Sequence, residues 1–435
     1  MTPVTQTYET QERRERAILV GAPTKDVPQR EVDEHLEELT RLTDTAGAGV
    51  VGAIVQRLDS PHPKFFIGEG KVKQVKEMAE DRKADLIIFD EELSPAQARN
   101  LENEMGVRIV DRTELILGIF AKRARTSEAQ MQVELAQLQY ALPRLKRMWT
   151  HLSRSRGGVN MRGPGETQLE TDRRLVGIRI RDLKEKLEVV ARRRATQRKG
   201  RSDEFRVALV GYTNAGKSSI LRKLSDTELF VEDRLFATLD PSTRVVELEG
   251  GLKALVTDTV GFIRKLPHAL VASFRATLEE ARDAEILLHV IDGSHPVWEE
   301  HKEVVDGVLD ELDLEKRPVV IVFNKADRLT HDEEKGLRER ARALYGSDVV
   351  LASTVEPGGL DELRERLRRE ASAQRPEVHV RVPAADGETL AAIYREGEVL
   401  GTTQVDTTID VHARLPRATL GRLSRRSGVE IDGAA

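Results

Sequence analysis

Apolar residues recur along this chain in two alternating rhythms. In residues 16–120, the short apolar runs RAILVGA (16–22), GAGVVGAIVQ (47–56), ADLIIFD (84–90) and VRIV (107–110) read as strands. Between them, Glu31 to Thr43, Gly70 to Asp81 and Ser94 to Met105 carry the three-to-four spacing of amphipathic helices. This alternation predicts a small α/β domain with a mainly parallel sheet. A second series of apolar runs follows at FRVALV (205–210), LKALVTD (252–258), PVVIVF (318–323) and DVVLA (348–352), with a helix predicted from Lys217 to Leu224. Residues 377–435 hold the strand HVRVP, a helix-like GETLAAIYREG, the alternating pair EVLGTTQVDTTIDVHARLP and a helix-like ATLGRLSRR, which predict a small α+β appendage with no legible chemistry.

Between these blocks the period changes. Leu135, Leu138, Leu142, Leu145, Trp149 and Leu152 are spaced 3, 4, 3, 4, 3, and Val176, Ile180, Leu183, Leu187 and Val190 are spaced 4, 3, 4, 3. Both are heptad seams. The intervening GGVNMRGPGE, Gly157 to Glu166, is too rich in glycine and proline to continue a helix. Two antiparallel helices joined by a glycine-rich tip follow, with a kink or break expected at Pro143. The domain organisation expected is therefore 1–120, an N-terminal α/β domain; 121–202, a helical hairpin; 203–373, an α/β domain; and 374–435, a C-terminal α+β domain.

Charge sharpens this division. The 435-residue chain has net charge −5, yet residues 144–201 hold 18 Lys and Arg against 6 Asp and Glu, a net +12 that leaves −17 for the remainder. Such a block is either a solvated helical surface or a polyanion contact, because neutralising phosphates releases counterions without reading sequence. Arg154, Arg156 and Arg162 crowd around the tip, where charge adds nothing to a spacer. The apolar runs are of strand length, well below the roughly 20 residues of a spanning helix. No signal-peptide core is apparent at the N-terminus. The absence of cysteine excludes disulfides, thiolate catalysis and Cys-ligated zinc. A cytoplasmic monomer is the expectation.

The chemistry sits at the ends of the second strand series. GYTNAGKS, Gly211 to Ser218, follows an apolar run and precedes a helix, the arrangement in which GxxxxGKS cradles phosphates. Its backbone, from Gly211, Tyr212, Thr213, Asn214, Ala215 and Gly216 through Lys217, Ser218 and Ser219, is the predicted nucleotide cradle, with the Lys217 ammonium on the β- and γ-oxygens and the Ser218 hydroxyl on Mg²⁺. DTVG begins at Asp258 and NKAD at Asn324; Ser353 and Thr354 follow the last run. All four lie at carboxyl ends of strands, where open α/β sheets bind ligands. The Asp327 carboxylate can accept from both N1–H and the 2-amino group of guanine, which adenine cannot offer, so the implied substrate is GTP. The fold class expected is α/β, a P-loop Ras-like GTPase domain. Phosphoryl-transfer logic then makes Lys217 a charge stabiliser, Asp258 a metal anchor through water, and Gly261 an N–H donor to the γ-phosphate. Asn324, Lys325 and Asp327 read the base, and Ser353 and Thr354 add loop contacts.

Together with LFATLDPSTR (235–244) and DTVGFI (258–263), the stretches FFIGEGKV, DEELSPAQARNLE, RTSEAQMQVELAQLQY and RGPGETQLETDRR resemble the HflX family of translational GTPases over nearly the whole chain. The resemblance implies a factor that binds the large ribosomal subunit near its peptidyl-transferase region and separates stalled or idle ribosomes, the basic arm being an rRNA contact. It also assigns the second metal-ligand hydroxyl to Thr238, with Ser242 and Thr243 as alternatives. Where many GTPases carry a Gln after DxxG to orient water, this chain has Phe262, which predicts slow intrinsic hydrolysis and stimulation by a partner. Two other classes stay open: an RNA-remodelling NTPase with a second nucleotide site at FFIGEGKV, a stretch that otherwise reads as a turn and helix start, and a switch for a protein partner.

Overall fold

The computed structural model describes residues 13–145, 164–198, 205–226, 235–249, 252–267, 270, 281–314, 317–346 and 349–433. Trp149, Leu152, the arginines at 154, 156 and 162, and Gly157 to Gly163 lie outside them. The chain forms two compact units, Met1–Lys184 and Glu185–Ala435.

In the first unit, β1 (Arg16–Gly21), α1 (Gln29–Ala46), β2 (Gly49–Val55), α2 (Glu69–Arg82), β3 (Leu86–Phe89), α3 (Pro95–Met105) and β4 (Arg108–Asp111) alternate as expected, and α4 (Arg112–Arg123) and α5 (Ser127–Ala141) follow. The sheet is wholly parallel, in the order β2-β1-β3-β4. Its central strands are buried along their length, which is why they read as unbroken apolar runs. Local chemistry sets the boundaries. Ser94 forms a capping box with Gln97 ahead of Pro95, and Gly106 ends α3 at a left-handed φ of 69°. Deep in this unit Arg112, 1% exposed, donates to Asp90 at 2.7 Å and to Glu38, tying α4 to α1 and to the end of β3.

FFIGEGKV forms a turn and the start of α2. The Gly68 N–H is taken by Gln56 Oε1 at 3.0 Å, and Glu69 places negative charge in the first helical turn.

The helix α5 stops at Ala141, and Pro143 sits in a short 3₁₀ turn, Leu142–Arg144, at the break expected for it. The next helix, α6 (Pro164–Arg198), has 35 residues, or about 50 Å at 1.5 Å per residue. It begins earlier than the sequence suggested: Pro164, Gly165 and Glu166, read as part of the non-helical tip, are its first turn. A proline there is free of penalty, because the first N–H groups of a helix have no intrahelical partner anyway. The heptad seam occupies the covered face: Leu183 is fully buried and Val176, Ile180, Leu187 and Val190 are partly covered, whereas Leu175 and Ile178 are exposed. From this helix Arg179 forks onto both carboxylate oxygens of Glu134 in α5, at 2.7 and 2.8 Å.

The second unit opens with β5 (Phe205–Gly211), α7 (Lys217–Ser225), β6 (Ser242–Leu248), β7 (Leu252–Asp258), β8 (Ile286–Asp292), α8 (Trp298–Glu311), β9 (Val319–Asn324), α9 (His331–Tyr345), β10 (Val349–Leu351) and α10 (Asp361–Ala373). These strands form one sheet, β10-β9-β8-β5-β7-β6, parallel except for the edge strand β6. The same unit carries a second sheet, antiparallel in the order β12-β13-β11-β14, built from β11 (Glu377–Pro383), β12 (Glu398–Val405), β13 (Thr408–Arg414) and β14 (Glu430–Asp432), with α11 (Gly387–Glu396) and α12 (Arg417–Leu423) between them. Val378, Val380 and Val382 are buried, while Glu377, His379 and Arg381 between them face water, the alternation of a one-sided sheet. Among the described residues no helix is long and apolar enough to cross a membrane.

Candidate functional site: a nucleotide pocket at the strand ends

Register brings the chemistry of the larger sheet together. Leu209 pairs with Asp258, Gly211 with Val290, and Asp292 with Asn324, so the loop after β5 and the ends of β7, β8 and β9 emerge side by side. The loop runs from Gly211 to Lys217 and opens α7, whose N-cap is Gly216. Only glycine fits there: φ is +99°, and a Cβ would lie 2.1 Å from Asn324 Nδ2. That Nδ2 donates to the Ala215 carbonyl at 2.8 Å. The first turn of α7 therefore presents unsatisfied N–H groups and a positive dipole end to whatever lies in the loop, the condition for binding phosphate.

Lys217 is buried and donates to the carbonyls of Gly211 and Tyr212 at 3.0 and 2.9 Å. Burial pushes its ammonium down to about 8, against the pull of the Asp258 carboxylate. The Ser218 hydroxyl lies 2.5 Å from Asp258 Oδ2 and 2.7 Å from Thr238 Oγ1. Burial raises the Asp258 pKa, and contacts from Lys217, Ser218 and Thr238 oppose it. Its other oxygen, Oδ1, is buried with no hydrogen-bond partner. Three hard oxygen donors converging beside an orphaned carboxylate oxygen fit a small divalent cation such as Mg²⁺. Thr243 is turned elsewhere, its hydroxyl 2.9 Å from Thr257 across β6 and β7, and Ser242 opens the same strand. Of the three candidate hydroxyls, the structure brings Thr238 to Ser218 and Asp258.

Gly261 approaches the loop closely: a Cβ there would lie 2.7 Å from Thr213 Cα and 3.1 Å from Lys217 Nζ. The following residue stands where many GTPases carry a Gln. Phe262 is fully buried, and its backbone pairs with the loop, its N–H donating to Gly211 O at 3.1 Å and its carbonyl accepting from Thr213 N–H at 2.7 Å. Its ring is packed in the core and does not occupy a position from which water would be oriented. Thr213, Asn214, Gly216, Lys217, Ser218, Ser219, Thr238 and Gly261 line one small cavity.

At the far end Lys325, in a left-handed conformation, pairs with Asp292 at 2.6 Å. Burial raises the pKa of Asp292, but bonds from Lys325 and Ser294 outweigh it and hold the carboxyl below its usual range. Ser353 Oγ donates to Asp327 Oδ1 at 2.7 Å and accepts from the N–H groups of Val355 and Glu356, both at 3.2 Å. Its hydroxyl thus orients the aspartate, leaving Thr354 and the loop backbone on the surface side. Sequence reasoning missed Asp292, although the strand run ILLHVID ends on it as the others end on their motifs. It also missed the Tyr212 hydroxyl, which accepts from Arg264 N–H at 2.9 Å, and the Thr213 hydroxyl, which accepts from Phe236 N–H at 3.0 Å. Nothing in the motif pattern marks either.

Phosphate cradle, paired hydroxyls, DxxG approach and NKAD loop at adjacent strand ends define a P-loop GTPase. Comparison with known families agrees: residues 206–325 match the family described as 50S ribosome-binding GTPase, residues 33–121 the GTP-binding GTPase N-terminal family and residues 123–201 the GTP-binding GTPase Middle Region. A GTPase HflX of Magnetococcus marinus is 45% identical over 429 residues, covering 97% of this chain and 98% of its own. The GTPase HflX of Escherichia coli is 40% identical over 405 residues, covering 92% and 94%. A GTP-binding protein from Sulfolobus solfataricus, solved in complex with GDP, is 26% identical with a TM-score of 0.44, covering 82% of this chain and 99% of its own. The chain belongs to the HflX family of GTPases and is a GTP hydrolase.

Proposed function

We propose that this GTPase binds the large ribosomal subunit through rRNA contacts along residues 144–201, separates stalled or idle ribosomes, and hydrolyses GTP to GDP and phosphate to reset. In this reading it works as a cytoplasmic monomer divided at about residues 120, 202 and 373. Lys217 neutralises charge on the transferring phosphoryl group, and the Gly261 N–H meets the γ-phosphate. Ser218 and Thr238 would hold Mg²⁺ directly, with Asp258 through water. The ion would offset the phosphate charge. Asn324 braces the loop while Asp327, held by Ser353, reads guanine and Lys325 walls the base; the backbone from Gly211 to Ser219 and the Ser353–Thr354 loop complete the pocket.

The observation that carries the ribosome reading is the surface of α6: beside and behind its covered seam, Arg173, Arg174, Arg181 and Lys184 are all exposed. An apolar-backed cationic helix suits a phosphate backbone. The occupied Gly68 N–H and the acidic Glu69 in the first turn of α2 weigh against a second nucleotide site and so against the RNA-remodelling alternative. Sedimentation of the protein with separated ribosomal subunits, with a non-hydrolysable GTP analogue or with GDP at two salt concentrations, tests the proposal. Analogue-dependent co-migration with the large subunit, weakened by salt, is expected; equal migration with either nucleotide, or none, overturns it.

A further inference from the structure

Both segments that must move when the γ-phosphate is lost are fastened to the phosphate loop by side chains of that loop itself. On one side, the Thr213 hydroxyl accepts from Phe236 N–H at 3.0 Å, two residues before Thr238 reaches Ser218. On the other, the Tyr212 hydroxyl accepts from Arg264 N–H at 2.9 Å, three residues after Gly261. Tyr212 is in turn braced by α8, where its ring stacks on His301 with centroids 3.9 Å apart and planes 10° from parallel. The residues beside these hydrogen bonds are in unfavourable backbone conformations: Phe236, with its ring buried, has φ of +56°, and Lys265 has φ of +52°. Left-handed geometry is disfavoured for side chains of that bulk and persists where surrounding contacts hold it. A strained residue with a hydroxyl bond at or beside it resembles a spring with a catch.

We propose that Tyr212 and Thr213 are positioning residues, two separate catches by which the phosphate loop holds the Gly261 segment and the Thr238 segment in their closed arrangement. The inference rests on the reading of Thr238 as the metal-side hydroxyl and of Gly261 as the γ-phosphate contact. Each catch has its own readout. Losing the Thr213 hydroxyl loosens the segment that carries Thr238, so Mg²⁺ is held less well; losing the Tyr212 hydroxyl leaves the Gly261 segment held by the backbone pairing of Phe262 alone, so the triphosphate loses part of its advantage over the diphosphate. Neither hydroxyl faces guanine, which leaves recognition by Asp327 untouched.

The test uses the full chain and fluorescent guanine nucleotides. Thr213→Val should raise the Mg²⁺ concentration for half-maximal hydrolysis about five- to tenfold, the effect of one hydrogen bond of about 1 kcal/mol. Affinity for GDP without Mg²⁺ should change less than the Mg²⁺ requirement does, and Thr213→Ser should restore the Mg²⁺ response. Tyr212→Phe should reduce the preference for a non-hydrolysable GTP analogue over GDP by a similar factor and leave the Mg²⁺ requirement alone. Parent behaviour in both variants overturns the proposal, as does an equal loss in Thr213→Val and Thr213→Ser, which would indicate packing. Thr238→Ala separates the two layers: if it leaves the Mg²⁺ requirement unchanged, the underlying assignment of Thr238 fails, independently of the catches.

Discussion

Lys217 is enclosed between two loop carbonyls and the Asp258 segment, and burial has moved its ammonium to about 8, within experimental reach. Nucleotide phosphates favour the charged form, so the bound protein holds this proton to higher pH than the free protein does. The sign follows from linkage. Below pH 8 both states carry the proton and affinity is flat; above it, the free protein must take up a proton to bind, and affinity falls by up to about tenfold per pH unit. Calorimetric titration with GDP at pH 9, in two buffers of different ionisation enthalpy, is expected to show uptake approaching one proton, and at pH 7 none. Equal apparent enthalpies at pH 9 would show that the lysine does not titrate there.

At the scale of elements, the segment after β7 behaves as a continuation of the sheet, because Phe262 pairs with the phosphate loop through both backbone groups. Phe262→Gln therefore buries an amide in an apolar site instead of supplying a group to the attacking water. Loss of about 3 kcal/mol of stability or more is expected, without faster intrinsic hydrolysis. Urea unfolding and single-turnover hydrolysis check the two halves, and a stable, faster variant would return Phe262 to the site. The slow intrinsic turnover expected of this chain would then follow from the arrangement of the Thr238 and Gly261 segments. The sequence made the parallel strands legible because burial on both faces removes their alternation, and it made the motifs legible because they end those strands. The edge strand β6 was hidden: its exposed Arg244, Val245 and Glu247 carry no clear period, and its first three residues fall within the LFATLDPSTR stretch read for its hydroxyls. Helix α4 escaped for the opposite reason, since Leu115, Ile116, Leu117, Ile119 and Phe120 are all buried and leave no polar stripe. The hydroxyl links of Tyr212 and Thr213 depend on which backbone N–H arrives beside them after folding, and no spacing rule encodes that.

For the whole molecule, a net charge of −5 combined with +12 over residues 144–201 predicts a localised, salt-sensitive grip on a polyanion. Converting Arg173, Arg174 and Arg181 together to Glu is expected to weaken large-subunit binding and to flatten the plot of log affinity against log salt by about two, since each lost phosphate contact removes roughly 0.7 to 0.9 from the slope. An unchanged slope would mean that this face of α6 never meets RNA. The two ends of the nucleotide pocket form a single hydrogen-bonded object: the amide of Asn324 props the Ala215 carbonyl and stands where a Cβ on Gly216 would be. Removing that amide would thus blur what a mutant reports, dulling the grip on phosphate along with the choice of base. An allele meant to confuse only guanine with its analogues has to be made at Asp327.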